Sequence, residues 1–182
     1  MSWATNLQPN LVLGGPAIAL TPEILQKYHL KGLVLDVDET LVPMNETNVS
    51  AEVVQWIEQI RQGAVLWLVS NNLSETRIAN IASALALPYI HSARKPSRRK
   101  LRQAVREMQL PVGQVAMVGD RLFTDVLAGN RLGMFSILVD PMLDPDNPAK
   151  FYSLRNFEVW LSQVLGVSLT GKQQNVEKEN NS

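Results

Sequence analysis

The chain has 182 residues, with 17 lysines and arginines balanced by 17 aspartates and glutamates, two histidines and no cysteine. That length suits one compact domain with tails, and a 46% hydrophobic, 19% charged composition is that of a globular protein rather than a disordered one. Without cysteine there are no disulfides, zinc–thiolate sites or thiol nucleophiles. His29 and His91 alone offer little to a histidine metal site or a serine–histidine triad, and zero net charge argues against chain-wide affinity for nucleic acid or anionic membrane.

The first residues, MSWATN, lack the basic region of a signal peptide. The longest apolar stretch, Leu11 to Leu20, is broken by Gly14, Gly15 and Pro16 and is too short to span a bilayer. A cytoplasmic location is the expectation, with a peripheral place at a membrane surface left open. Residues 1–20 read as a mixed N-terminal segment packing on the core. Thr21-Pro22 then starts a short helix, with threonine as cap and proline at the first helical position. Residues 32–37, GLVLDV, form an unbroken apolar run ending in acid, the pattern of a strand buried on both faces. Ser50 caps a helix with Val53, Val54, Ile57 and Ile60 on one face, stopped by Gly63. A second buried strand, Ala64 to Val69, leads into Ser70-Asn71-Asn72.

Ser74 starts the next helix, with Ile78, Ile81, Ala82 and Leu85 inward, and Tyr89-Ile90-His91 is a short strand. Pro96 opens a basic helix striped by Leu101, Val105 and Met108. Val115 to Val118 is a strand ending in Gly119-Asp120, followed by a helix from about Thr124 to Leu132 and a strand at Phe135 to Val139. After a loop from Asp140-Pro141 to Asn147-Pro148, the residues Phe157, Trp160, Leu161, Val164 and Leu165 suggest a last amphipathic helix. The tail 171–182 has almost nothing to bury. Strands alternating with helices imply an α/β, doubly wound, mainly parallel sheet with helices on both faces, spanning residues 21–170. Such sheets bind ligands at the carboxyl ends of their strands, where Asp36, Ser70, Asp120 and the nearby Lys95 converge.

Asp36-Val37-Asp38-Glu39-Thr40 is the sharpest motif. Like-charged carboxylates so close together are costly unless a cation or shared proton relieves them. Mg²⁺, hard and oxygen-seeking, suits a few carboxylates plus water and phosphate. Asp120 adds a carboxylate and Asp125 another at a helix start; Ser70 and the following amides can donate to an anion, and Lys95 can neutralise its charge. Such a set suits phosphoryl transfer: a carboxylate attacks phosphorus, cations offset charge on the phosphoryl oxygens, and a second carboxylate handles the leaving-group proton. Each part alone has a plainer reading. A lone DxD is common on surfaces, Ser70-Asn71-Asn72 can be a turn, Lys95 a solvated lysine, Gly119-Asp120 a tight turn, and the basic run from Arg94 to Arg106 a solvated helix face. His91 reads as structural, His29 as a surface residue, and Trp56, Trp67 and Trp160 as packing residues.

DVDET after an apolar strand, then LVSNN, RKPS and VGDRLFTD, in that order within residues 31–140, resembles the haloacid dehalogenase (HAD) superfamily of aspartate-nucleophile phosphatases. The lysine in RKPS and the GDxxxTD ending look most like subclass IIIA, the YqeG-like phosphatases, and the likeness extends to LTPEILQKYHLKGLVLDVDETL and NRLG. Glu39 stands where many YqeG-like proteins have asparagine, at a position that varies across the superfamily. The resemblance implies Asp36 as nucleophile and Mg²⁺ ligand. It implies Asp38 as general acid/base, ligating the metal through its backbone carbonyl, and Thr40 shaping the turn beneath. Ser70 and the Asn71 amide would bind phosphate, Lys95 would link nucleophile and phosphate, Asp120 would be a metal ligand, and Asp125 would act through water or a neighbouring ligand.

The segments between Asp38 and Ser70 and between Ser70 and Lys95 leave no room for a cap domain of the kind many HAD enzymes carry, so an open site and a large substrate are expected. YqeG-like proteins are similar to enzymes that dephosphorylate phosphatidylglycerophosphate, which implies a lipid substrate. The basic stretch Arg94, Lys95, Arg98, Arg99, Lys100, Arg102 and Arg106, with apolar ends around Trp3–Leu13 and Phe157–Leu165, is compatible with an anionic interface. No nucleic-acid partner is expected. The alternatives are a phosphoprotein or other phosphatase, and a non-enzymatic, phospho-accepting domain like a response-regulator receiver. Motif order argues against the receiver, which places its acceptor aspartate after the third strand and its lysine after the fifth.

Overall fold

The computed structural model describes residues 3–142, with side chains from residue 5 onward. The suggested helix around Phe157–Leu165, most of the loop before it, and the tail from Gly171 lie outside the described residues. The elements in chain order are α1 (Trp3–Leu7), β1 (Leu11–Val12), α2 (Pro22–Lys27), β2 (Gly32–Leu35), α3 (Ala51–Ile60), β3 (Val65–Val69), α4 (Glu75–Leu85), β4 (Tyr89–Ile90), α5 (Arg99–Met108), β5 (Val115–Gly119), α6 (Leu127–Leu132) and β6 (Phe135–Leu138). Among the described residues, six strands form one sheet in the order β1-β6-β5-β2-β3-β4, every pair parallel. This is the doubly wound parallel architecture that alternating strand and helix patterns imply.

The apolar runs occupy the centre. All of β2 and β5 is buried, which is why GLVL and VAMVG carry no polar alternation. Successive β2 side chains go to opposite faces: Leu33 and Leu35 join the core with Val53, Ile57, Ile78 and Ile81 of α3 and α4, whereas Val34 joins Leu101, Ala104 and Val105 of α5. Trp56 is a core residue whose indole donates to the Leu20 carbonyl at 2.8 Å, while Trp67 packs on the opposite layer. The edge strands β1 and β4 are two residues each, short enough to present little unpaired backbone.

Ser50 and Ser74 cap α3 and α4, each accepting the N–H three residues on. Elsewhere the chain departs from its local signals. Ala17 and Leu20 are buried in the core, and Leu11–Val12 form β1, the outer strand beside β6. Asn10 fixes it there, its side chain accepting from the Ser136 N–H (2.8 Å) and hydroxyl (3.0 Å). The basic helix begins at Arg99 rather than Pro96, because the chain first turns around the buried Ala93 and Lys95: the Ala93 N–H donates to the Ser70 carbonyl and the Ser97 N–H to the Arg94 carbonyl. The helix expected from Thr124 begins as a wide turn at Leu122, where the Arg121 carbonyl accepts from both Asp125 and Val126, and only then becomes α6.

Candidate active site

Four chain crossings deliver the site. β2 hands on Asp36, whose N–H still bonds the Val118 carbonyl of β5 at 2.9 Å; Ser70 directly follows β3, Asp120 directly follows β5, and the loop after β4 carries Lys95. After Asp36 the strand stops and the chain coils back. The Val37 carbonyl accepts from Thr40, Leu41 and Val42, and Glu39 takes a left-handed conformation at φ 63°. Asp36 and Asp38 consequently point into different surroundings.

Asp36 enters a buried acidic pool. One carboxylate oxygen from each of Asp36, Asp120 and Asp125 lies within 4.8 Å of the others. Lys95, its side chain 1% exposed, reaches between them, with Nζ 2.6 Å from Asp36 Oδ1 and 2.7 Å from Asp125 Oδ1. Burial raises the Asp36 carboxyl from an ordinary 3.8 to about 7, against the pull of Lys95 and with the push of Asp125 and Asp38. Burial and the charges of Asp125 and Asp36 also raise Asp120 well above the usual range. Burial alone would lower the Lys95 ammonium, but the charges of Asp125 and Asp36 more than reverse it and hold it protonated.

The remaining residues fix this pool. Thr40, expected to shape the turn, also donates its hydroxyl to Asp120 Oδ1 at 3.1 Å. Asp125 Oδ2 accepts the Arg121 N–H at 3.2 Å, closing the turn that presents it. Its carboxylate packs so closely on the end of β5 that a methyl on Gly119 would overlap it, so only glycine admits Asp125 to the cluster. The side chain of Asn71 clamps the Lys95 backbone, accepting its N–H at 2.6 Å and donating to its carbonyl at 3.1 Å.

Asp38 stands apart from the pool. Its Oδ2 accepts the Ser70 hydroxyl at 3.0 Å, and its Oδ1 accepts Arg77 Nη1 at 2.5 Å and Asn72 Nδ2 at 3.3 Å. Asp36, Asp38, Thr40, Ser70, Asn71, Lys95, Asp120 and Asp125 thus lie together at the carboxyl ends of the strands. Sequence reasoning passed over Arg77, and also Arg121, which pairs with Glu39 at 2.6 Å and lies 3.7 Å from Asp120. A signal for Arg77 existed: a cation in the first turn of a helix opposes the helix dipole and needs an acid to offset it. His91 lies at the rim, 3.6 Å from Glu75, and His29 is exposed. Of the basic run, Lys95 alone is buried; Arg94, Arg98, Arg99, Arg102 and Arg106 are exposed.

Three carboxylates with hard oxygen donors, two of them pushed toward protonation by burial first and then by neighbouring negative charge, fit a hard divalent ion such as Mg²⁺. Among the described residues, the stretches 39–69 and 71–94 hold only the loop, helices and strands named above, with no cap domain over the strand edge. No helix among them is long and apolar enough to cross a membrane.

Comparison with known proteins gives this arrangement a family. Residues 92–141 match the family described as HAD-hydrolase-like. The probable phosphatase YqeG of Bacillus subtilis is 38% identical over 128 residues, 70% of this chain and 74% of that one. The chain belongs to the YqeG-like phosphatases of the HAD superfamily and is a phosphatase. Phosphatidylglycerophosphate phosphatase 1 of Chlamydomonas reinhardtii is 29% identical over 149 residues, which are 76% of this chain and 55% of the algal protein, so the chain spans about half of that relative. The fold is shared with a HAD-like family hydrolase from Porphyromonas gingivalis (TM-score 0.51, 14% identity, 70% of this chain and 98% of that one).

Proposed function

We propose that the protein hydrolyses a phosphomonoester with Mg²⁺ as cofactor, through an aspartyl-phosphate on Asp36, and that its substrate is a large phosphorylated molecule, foremost a phosphatidylglycerophosphate-type lipid. The observation that carries the chemistry is Lys95 bridging Asp36 and Asp125 inside a three-carboxylate cluster at the strand edge. Asp36 and Asp120, with the Asp38 carbonyl, would hold the ion, and Asp125 would act on it through water or a neighbouring ligand. Bound there, Mg²⁺ supplies positive charge to the phosphoryl oxygens and keeps the carboxylates ionised.

In the first step an Asp36 oxygen bonds to phosphorus, the ester P–O bond breaks, and the departing oxygen takes a proton from Asp38. Ser70 donates to the phosphoryl group, and the Lys95 ammonium offsets its charge. In the second step water attacks the same phosphorus, gives its proton to Asp38, and returns Asp36 as a carboxylate with release of phosphate. The absence of a cap over the strand edge among the described residues supports a large substrate. The lipid class is supported by the algal relative's name and by the exposed arginines of the stretch 94–106.

Phosphate release from phosphatidylglycerophosphate in mixed micelles, a phosphopeptide panel and p-nitrophenyl phosphate tests this reading. Mg²⁺-dependent turnover is expected, fastest on the lipid, and Asp36→Asn should reduce it about 10³-fold or more. Turnover surviving that substitution or full chelation overturns the chemistry. Preference for the phosphopeptide over the lipid overturns the substrate.

A further inference from the structure

The least expected contact at the site is the guanidinium of Arg77. It arises from the first turn of α4, is 12% exposed, and makes three bonds to three parts of one loop. Nη1 donates to Asp38 Oδ1 (2.5 Å), Nη2 to the Pro43 carbonyl (3.1 Å) and Nε to the Glu46 carbonyl (3.0 Å). A rigid, permanently charged fork that satisfies a carboxylate and two backbone carbonyls at once fixes their mutual position in a way that a flexible ammonium does not. The loop from Asp38 to Glu46 is thereby tied to α4, and the Asp38 carboxylate has its orientation set from outside its own turn.

The bond pattern also makes the two Asp38 oxygens unequal. Arg77 and Asn72 both donate to Oδ1, whereas the partner of Oδ2 is the rotatable hydroxyl of Ser70. Oδ1 is thus held by two donors from α4 and the Ser70–Asn72 turn, while Oδ2 faces a donor that can rotate away.

We propose that Arg77 is the positioning residue for proton transfer by Asp38: its fork occupies Oδ1 and directs Oδ2 to the reacting group. In the forward step the proton on Oδ2 passes to the ester oxygen as its bond to phosphorus breaks, and in the return step Oδ2 takes a proton from the attacking water. The proposal rests on the reading of Asp38 as the proton-handling residue, and the experiment separates the two.

Arg77→Met, Arg77→Lys and Asp38→Asn are compared on p-nitrophenyl phosphate, whose leaving group departs without a proton, and on glycerol 3-phosphate, whose alkoxide needs one. Arg77→Lys keeps the positive charge and serves if Arg77→Met does not fold. The expected result is a fall in kcat on glycerol 3-phosphate of about 10²-fold, a fall on p-nitrophenyl phosphate of about tenfold or less, and little change in KM. The Asp38→Asn/Arg77→Lys double variant should be no slower than Asp38→Asn alone. Equal losses on both substrates in the Arg77 variants, with the leaving-group bias confined to Asp38→Asn, would mean that Arg77 merely supports the fold and would overturn the proposal. An Asp38→Asn variant with no leaving-group bias would overturn the reading of Asp38 itself.

Discussion

Asp36 and Asp38 are separated by one residue, yet their carboxylates enter different electrostatic surroundings. Asp36 lies with Asp120 and Asp125 around the Lys95 ammonium, and burial together with like charge drives it toward protonation. Asp38 meets Arg77, Ser70 and Asn72, three donors to one carboxylate. The first region is under-neutralised and calls for a further cation; the second is satisfied by the chain alone. A DxD motif at a strand end is thus two sites, and the backbone turn after Asp36 is what separates them.

The comparison breaks most sharply at Lys95. In Lys95→Met the buried Asp36 and Asp125 lose their shared partner, and removing one member of a buried ion pair costs about 3–5 kcal/mol. Denaturant melts in the absence of metal should show that loss, with Mg²⁺ restoring part of it. An unchanged midpoint would mean that the pool is not a strained acidic cluster.

Gly119→Ala acts on the same region from behind. Its methyl must displace the Asp125 carboxylate, so a loss of about 1–3 kcal/mol is expected. Mg²⁺ affinity, read by calorimetry, should fall with it, while the bonds of Arg77 to Asp38 stay intact. Undiminished affinity would place Asp125 outside the metal's reach.

Changing pH should sharpen the contrast without a mutation. The folded-state carboxyl of Asp36 is raised to about 7 by burial first and by neighbouring Asp125 and Asp38 charge, against 3.8 when unfolded. The folded chain therefore binds more protons between these values, and metal-free stability falls as pH rises from about 4 to about 7. Mg²⁺ competes with those protons, so the thermal shift it produces should be larger at pH 7.5 than at pH 5. A shift independent of pH would count against an ion seated on these carboxylates.

The apolar runs at 32–35 and 115–119, with no polar alternation, were legible as strands buried on both faces because a central parallel strand has no solvent side. Ser50 and Ser74 were legible as caps because a helix start leaves N–H groups that only a local acceptor can satisfy. The short strand β1 was not, since two residues carry no period and its place is set by Asn10 meeting Ser136 across 126 positions. At the site, the residue types and their order announced the carboxylates, Ser70 and Lys95. Arg121 gave no comparable sign, and its pairing with Glu39 joins residues 82 positions apart.

What the amino-acid sequence by itself determined is therefore the alternation of elements, the central strands, and which chemical groups arrive at the strand ends, because periodicity, capping and apolar runs act over a few residues. Tertiary structure alone decided which carboxylate joins the acidic pool, that the side chain of Asn71 holds the Lys95 backbone, and that Arg77 reaches Asp38. Those outcomes depend on charges and hydrogen bonds between segments that are far apart along the chain and meet only once the sheet has formed.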